Sequence, residues 1–307
     1  MSLKLDEVAS GLGFPEGPVA MDDGSVLFVD IKEQTLMRLS PDKSLHKIAD
    51  LPGGPNGIAI GPDGAAYVCN NGGVYTFVEE PTLKITVPSS ERPNYIGGSI
   101  QRVDLESGEV TDLYYKYKGK CLISPDDIVF DKDGGFWFTD TGMQHEQSSE
   151  FGAVYYATTD GKTLIHAATV PTANGIGISP DGTKLFVSDT VFGRLWMMEI
   201  ESPGKLKPGA LPGTPGNVVQ TLPGFQWLDS LKVEADGRVC VATLFTGGIT
   251  IFSLDGTTEH LEVPDPFTTN LCFGGPNMDT AWLTASGTGK IYKTQWPRPG
   301  LKLAFTA

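Results

Sequence analysis

Asn174-Gly-Ile-Gly-Ile-Ser-Pro-Asp181-Gly182 is a polar residue, a short apolar run and an Asp-Gly turn, and the same phrase recurs along the chain. Glu16, Asn56, Asp126, Asn174 and Asp229 each stand eight residues before the glycine of such a turn: Gly24, Gly64, Gly134, Gly182 and Gly237. A sixth run, Asn270-Leu-Cys-Phe, reaches the related turn Gly274-Gly275-Pro276-Asn277. The openers are spaced by 40, 70, 48, 55 and 41 residues, a repeat that signals a propeller or a solenoid.

Around each opener the sequence reads as short strands bounded by Gly, Pro, Asp and Asn. In the first unit these are Gly17-Pro-Val-Ala-Met, Ser25-Val-Leu-Phe-Val-Asp, Gln34-Thr-Leu-Met-Arg-Leu and Leu45-His-Lys-Ile-Ala-Asp. Four strands make one propeller blade. The reading is an all-β, six-bladed β-propeller with four-stranded antiparallel blades, one domain over residues 1–307. Leu3-Lys-Leu-Asp-Glu-Val and Leu301-Lys-Leu-Ala-Phe both alternate, and one of them is expected to complete the last blade. The 70-residue interval holds an insertion at about 75–97, read as an ordered cap. A second insertion, Gly142-Met-Gln-His-Glu-Gln-Ser-Ser-Glu, interrupts the third unit, and a third runs from Pro203 to Gly216.

The chain has 307 residues and a net charge of −14, which argues against a nucleic-acid partner because phosphate binding needs a basic face. No stretch approaches the ~18 apolar residues of a membrane span. Met1-Ser-Leu-Lys-Leu-Asp-Glu lacks the apolar core of a signal peptide, so a cytoplasmic protein is expected. Cys69, Cys121, Cys240 and Cys272 form no C-x-x-C pair and read as free thiols in a reducing compartment.

If the units are blades, the openers meet at one mouth of the central tunnel. Glu16, Asp126 and Asp229 would repel one another there unless a cation neutralised them. With Asn174 they form a hard-oxygen set that selects Ca²⁺, Mg²⁺ or Mn²⁺ over softer metals, and Ca²⁺ best tolerates an irregular cage. Asn56 and Asn270 would contact substrate or cap their strands. His46, His145, His166 and His260 match no opener register, and only His145 lies in an insertion that could reach the mouth. There is no Gly-x-Ser-x-Gly elbow, Walker loop or Rossmann fingerprint at a suitable junction.

Phe14-Pro-Glu-Gly-Pro, Ala173-Asn-Gly-Ile-Gly-Ile-Ser-Pro-Asp-Gly, Leu228-Asp-Ser-Leu and Thr269-Asn-Leu-Cys-Phe-Gly-Gly occur in an order that resembles the SMP-30/gluconolactonase/luciferin-regenerating-enzyme family. The resemblance covers essentially the whole chain. It implies a six-bladed propeller with one catalytic divalent metal on its axis, usually Ca²⁺ or Zn²⁺, that hydrolyses lactones or, in related enzymes, organophosphates. It carries the ligand role to Glu16, Asn174 and Asp229. Asp126 falls where relatives usually have Asn, and would be a fourth ligand or face substrate. Sugar-lactone hydrolases of the family have an Arg-x-Asn-Asp stretch, and here Ser124-Pro-Asp-Asp stands in its place. With Phe192, Phe225, Trp227, Phe245 and Phe273 expected near the mouth, and Tyr95 and Ile96 supplied by the cap, the substrate is expected to be less polar than a sugar lactone.

The expected chemistry is metal-assisted opening of a small-molecule lactone. Asp229 or Asp126 would serve as the base toward water, with Asp229 favoured by the resemblance. Asn56, Asn270, Trp227 and Tyr95 would be substrate contacts, and the assembly a monomer or small homo-oligomer. A phosphotriesterase on the same metal site is the alternative within enzymes. A non-catalytic ligand-binding propeller with a structural Ca²⁺ is the alternative outside them.

Overall fold

The computed structural model describes residues 3–89 and 91–305, and every regular element among them is a β-strand. Six antiparallel sheets follow one another along the chain, so the propeller expected from the repeat is the fold. The innermost strands are Pro15–Ala20, Pro55–Ile60, Pro125–Phe130, Ala173–Ile178, Trp227–Val233 and Thr268–Gly274. Each begins at or just before its opener. The apolar runs that follow are buried on both faces, because every blade is packed between two others. Among the described residues no helix is long and apolar enough to cross a membrane.

The N-terminal strand closes the ring. Asp6–Ala9 pairs antiparallel with Lys290–Gln295 and supplies the fourth strand of blade six. The C-terminal segment does something else. Ala235 N–H bonds Pro299 O at 2.9 Å and Leu301 N–H bonds Val233 O at 2.9 Å, which carries the chain onto the axis. There Leu301, Leu303 and Phe305 line an apolar chamber of about 60 Å³ with side chains from all six innermost strands. An apolar tail is stable at that end because those strands present Val19, Ile58, Ile128, Ile176, Val233 and Phe273 to it.

Two local devices fix the innermost strands. Asp30, Asp140 and Asp189, each at the end of a second strand, accept backbone N–H bonds from Phe14 (2.9 Å), Ser124 (2.9 Å) and Thr172 (3.1 Å). These carboxylates hold the loops that lead into blades one, three and four. Hydroxyls then clasp one blade to the next: Ser188 of blade four donates to Asp229 O at 2.7 Å, and Thr139 of blade three donates to Asn174 O. Cys69, Cys240 and Cys272 are buried free thiols and Cys121 is an exposed one.

The cap is ordered. Thr76–Glu80 and Ile85–Ser89 form a hairpin, and Phe77 packs on Phe14 with ring centroids 4.9 Å apart. The second insertion is also a short hairpin, Met143–Gln144 with Ser149–Glu150.

Candidate functional site

Every innermost strand carries a register irregularity at its opener: between Glu16 and Val19, Pro55 and Ile58, Pro125 and Ile128, Ala173 and Ile176, Leu228 and Leu231, and Thr268 and Asn270. A bulge re-aims a side chain and ends ladder pairing locally. Repeated six times, it turns the openers out of the sheets toward the axis. Small residues after the openers let the strands converge. A Cβ on Gly57 would lie 2.5 Å from Asp126 O, and one on Gly175 would lie 2.5 Å from Leu231 N.

Four of the six openers are hydrogen-bonded in pairs across neighbouring blades. Asn270 Nδ2 donates to Glu16 Oε2 at 2.7 Å, and Asn56 Nδ2 donates to Asp126 Oδ2 at 3.0 Å. Asn174 stands beside Asp229 on the next blade, and its amide partly offsets the upward shift of that carboxyl. Amides and carboxylates therefore alternate around the ring, from blade six to one, two to three and four to five. Asn56 and Asn270 spend their amide N–H groups on carboxylates, and Asn270 Oδ1 accepts the N–H of Leu271 at 2.8 Å.

What the pairs leave bare is informative. Glu16 Oε1, Asp126 Oδ1 and Asn174 Oδ1 are buried with no hydrogen-bond partner. Orphaned oxygens of this kind are costly, and three of them, from blades one, three and four, call for a guest that brings positive charge. Burial, opposed by the bonds from Asn270 and Gly17, pushes the Glu16 carboxyl up to about 7. Burial and then the charges of Asp229 and Glu16 push Asp126 well above the usual carboxylate range. Asp229 is raised by burial and by the Glu16 charge. Each acid resists ionisation chiefly because it is buried, with the charges of neighbouring carboxylates adding to the penalty, and a bound cation reverses it.

Among the described residues no group of three or more His, Cys, Asp or Glu side chains is arranged to hold a metal on its own. The alternation explains this, since the acids are interleaved with asparagines. The donor set fits a hard cation that accepts amide as well as carboxylate oxygen.

Beside the ring opens a cleft of about 630 Å³, reaching Asn174 and walled by Trp227, Thr190, Tyr75 and Arg92. The cap hairpin and the blade-three hairpin supply much of its wall. Trp227 Nε1 and Thr190 Oγ1 are buried without partners. Tyr75 stands close enough to Asp126 and Asp229 that burial and their charges raise its hydroxyl pKa. His145 lines the cleft, with Nε2 3.2 Å from Glu150 Oε1. Tyr95 donates its hydroxyl to Ile123 O at 2.7 Å and is not among the residues lining the cleft. Trp227 packs on Phe245 (5.2 Å) and Phe225 (6.0 Å), and Phe225 is 72% exposed. Phe273, expected at this mouth, is instead in the apolar chamber at the opposite end. Tyr75 and Arg92 carry no sequence signal because neither occupies a repeated position, whereas Thr190 follows Asp189 as Thr141 follows Asp140, a repeat that could have marked it.

Beneath the ring, Asp127 is buried and bonded to Lys232 Nζ at 3.3 Å. It neutralises a lysine that would otherwise face the axis unpaired.

The sequence matches the model of the SMP-30/gluconolactonase/LRE-like region over residues 14–287. It is 26% identical to the gluconolactonase of Zymomonas mobilis over 313 residues, covering 93% of this chain and 80% of that protein. It is 27% identical to the lactonase drp35 of Staphylococcus aureus over 76% of this chain, and that alignment spans 64% of the relative's length. Among solved structures it superposes on regucalcin, a calcium-binding protein from Agrobacterium tumefaciens, with a TM-score of 0.73 and 16% identity, covering 99% of each chain.

Proposed function

The chain belongs to the SMP-30/gluconolactonase/LRE-like family, and from that premise we propose that its axial site hydrolyses lactones with the help of one divalent cation. The observation that carries the reading is the set of bare, buried oxygens on Glu16, Asp126 and Asn174, set in a ring of raised carboxyls at the foot of a cleft. Glu16, Asn174, Asp229 and Asp126 would hold the cation, and Ca²⁺ suits an irregular all-oxygen set best. When bound, it supplies the positive charge that polarises the ester carbonyl and offsets the negative charge that grows on its oxygen.

The protein's own residues supply the rest. Asn56 and Asn270 hold Asp126 and Glu16 in place through the amide bonds described above. Asp229 is less buried than Glu16, Asp126 or Asn174, so it is the carboxylate that meets water entering from the cleft. Its carboxylate takes the proton of that water as the oxygen attacks the ester carbon. The ring C–O bond then breaks, the proton passes to the departing alkoxide, and a hydroxy acid leaves. Asp126, with one oxygen held by Asn56, is the other acid in reach. Trp227 and its aromatic neighbours offer an apolar wall to the lactone ring, which favours substrates with fewer hydroxyls than a sugar lactone.

The test is hydrolysis of a panel of lactones, from gluconolactone to aliphatic and aromatic rings, by protein stripped of metal and reloaded with Ca²⁺, Mg²⁺, Mn²⁺ or Zn²⁺. Turnover restored by a metal is expected. Tight metal binding with no lactone opened under any pairing would overturn the reading.

A further inference from the structure

We propose that Arg92, carried on the cap, is a specificity-determining residue that recognises a carboxylate substituent of the lactone, away from the ester that is opened. The proposal rests on the lactone-hydrolase reading and names a substrate class within it, the lactone acids. Arg92 is half-buried and lines the cleft that reaches Asn174. Its protein partners are neutral: Nε donates to Val74 O at 3.2 Å and Nη2 donates to Gln144 O at 2.6 Å. Among the described residues no carboxylate pairs with it within 4.0 Å, in a chain with 37 Asp and Glu against 23 Lys and Arg. Glu146 and His145 line the same cleft, and His145 Nε2 lies 3.2 Å from Glu150 Oε1.

A half-buried guanidinium with no carboxylate partner gains more from an anion brought to it than a fully solvated one would. The two carbonyls fix the group between the cap and the blade-three hairpin, so it is held as a rigid fork, and it has more N–H donors than those carbonyls can take. Trp227 Nε1 and Thr190 Oγ1 are further unpartnered groups in the same cleft. Spare N–H groups of Arg92, Trp227 Nε1 and Thr190 Oγ1 are donors available in this cleft, and a carboxylate is a guest made only of acceptors. The net charge of −14 repels an anion at a distance, so capture of a lactone acid depends on a local cation.

The experiment compares a γ-lactone bearing a carboxylate with its methyl ester, using the full metal-loaded chain. Wild type should favour the acid. Arg92→Met should cut the acid-to-ester ratio of kcat/KM on the order of 10- to 100-fold, mainly through KM, and Arg92→Lys should restore part of it. An Arg92→Met protein that loses both activities equally, with the ratio unchanged, would reduce Arg92 to a strut between the two insertions and overturn the proposal. Calorimetry with a cyclopentanone carboxylate and its methyl ester, whose carbocyclic ring has no ester bond to open, separates this from failure of the lactone reading. Acid-selective binding that is lost in Arg92→Met supports the proposal even if no lactone turns over. Equal binding of acid and ester by wild type overturns it.

Discussion

Asn270→Ala tests whether the amide–carboxylate pairs build the site. Asn270 is fully buried, Glu16 is 2% exposed, and the bond between them is 2.7 Å. Alanine removes that charge-assisted bond, worth about 1.5–3 kcal/mol. It also leaves the Leu271 N–H, now 2.8 Å from Asn270 Oδ1, without an acceptor at a cost of about 1–3 kcal/mol. The two losses fall on different observables. The first frees the Glu16 carboxylate to turn from the axis, so Ca²⁺ affinity should fall roughly 10- to 100-fold, as expected when the group orienting a ligand is removed. The second falls on folding, and thermal unfolding of the metal-free protein should shift down by a few degrees. Calorimetric titration of chelator-treated protein with Ca²⁺, paired with a melting curve, reads both. Affinity equal to wild type alongside a lowered melting temperature would show that Glu16 needs no partner. The alternation would then be a by-product of packing.

Three further outcomes are expected. Asp229→Asn should abolish lactone hydrolysis while circular dichroism and melting stay close to wild type; full turnover would remove Asp229 as the base. Chelation of the metal-loaded protein should lower its melting temperature, and readdition of Ca²⁺ should restore it, because a ligand that binds only the folded state stabilises by mass action; a melting curve indifferent to chelator would count against the axial cation. Arg298→Met should cost about 2–4 kcal/mol in denaturant unfolding, because Glu234 is fully buried, accepts Arg298 Nε at 2.6 Å and Trp296 Nε1 at 2.7 Å, and has its next cation, Arg238, at 3.9 Å.

The axis of the molecule is readable in the sequence because a repeat assigns every opener the same place. Glu16, Asp126, Asn174 and Asp229 stand at equal distances from equal turns, and equal register in a propeller means a common point in space. The pairing of those residues is not readable in that way. Whether Asn56 turns to Asp126 or to Glu16 depends on side-chain geometry between blades, and both acids lie on adjacent blades. Phe273 shows what register alone can miss. It lies three residues beyond Asn270 on an extended strand, and a rise of ~3.3 Å per residue carries it about 10 Å down the tunnel. That distance puts it among the C-terminal side chains rather than at the mouth. The seam had two candidate closers of the same alternating pattern. Asp6–Ala9 took the edge of blade six, and Leu301, Leu303 and Phe305 found an apolar chamber to fill.

Thr190 aside, the cleft wall has no repeat to betray it. Tyr75 and Tyr95 lie twenty residues apart on the same insertion, and composition cannot say which ring faces the acids. In the structure Tyr95 is tied to Ile123 O, whereas Tyr75 stands beside Asp126 and Asp229. The two regions consequently answer to different constraints. A change in the ring of openers alters a group that neighbouring blades brace, so its effect should reach metal affinity and stability whatever the substrate. Arg92 and Tyr75 sit on a cap inserted between the second and third strands of blade two, outside the blade ladders. Substitutions there can redirect which lactone is held without disturbing the axis, and the chemistry of the substrate's substituents should be sought in the cap before it is sought in the ring.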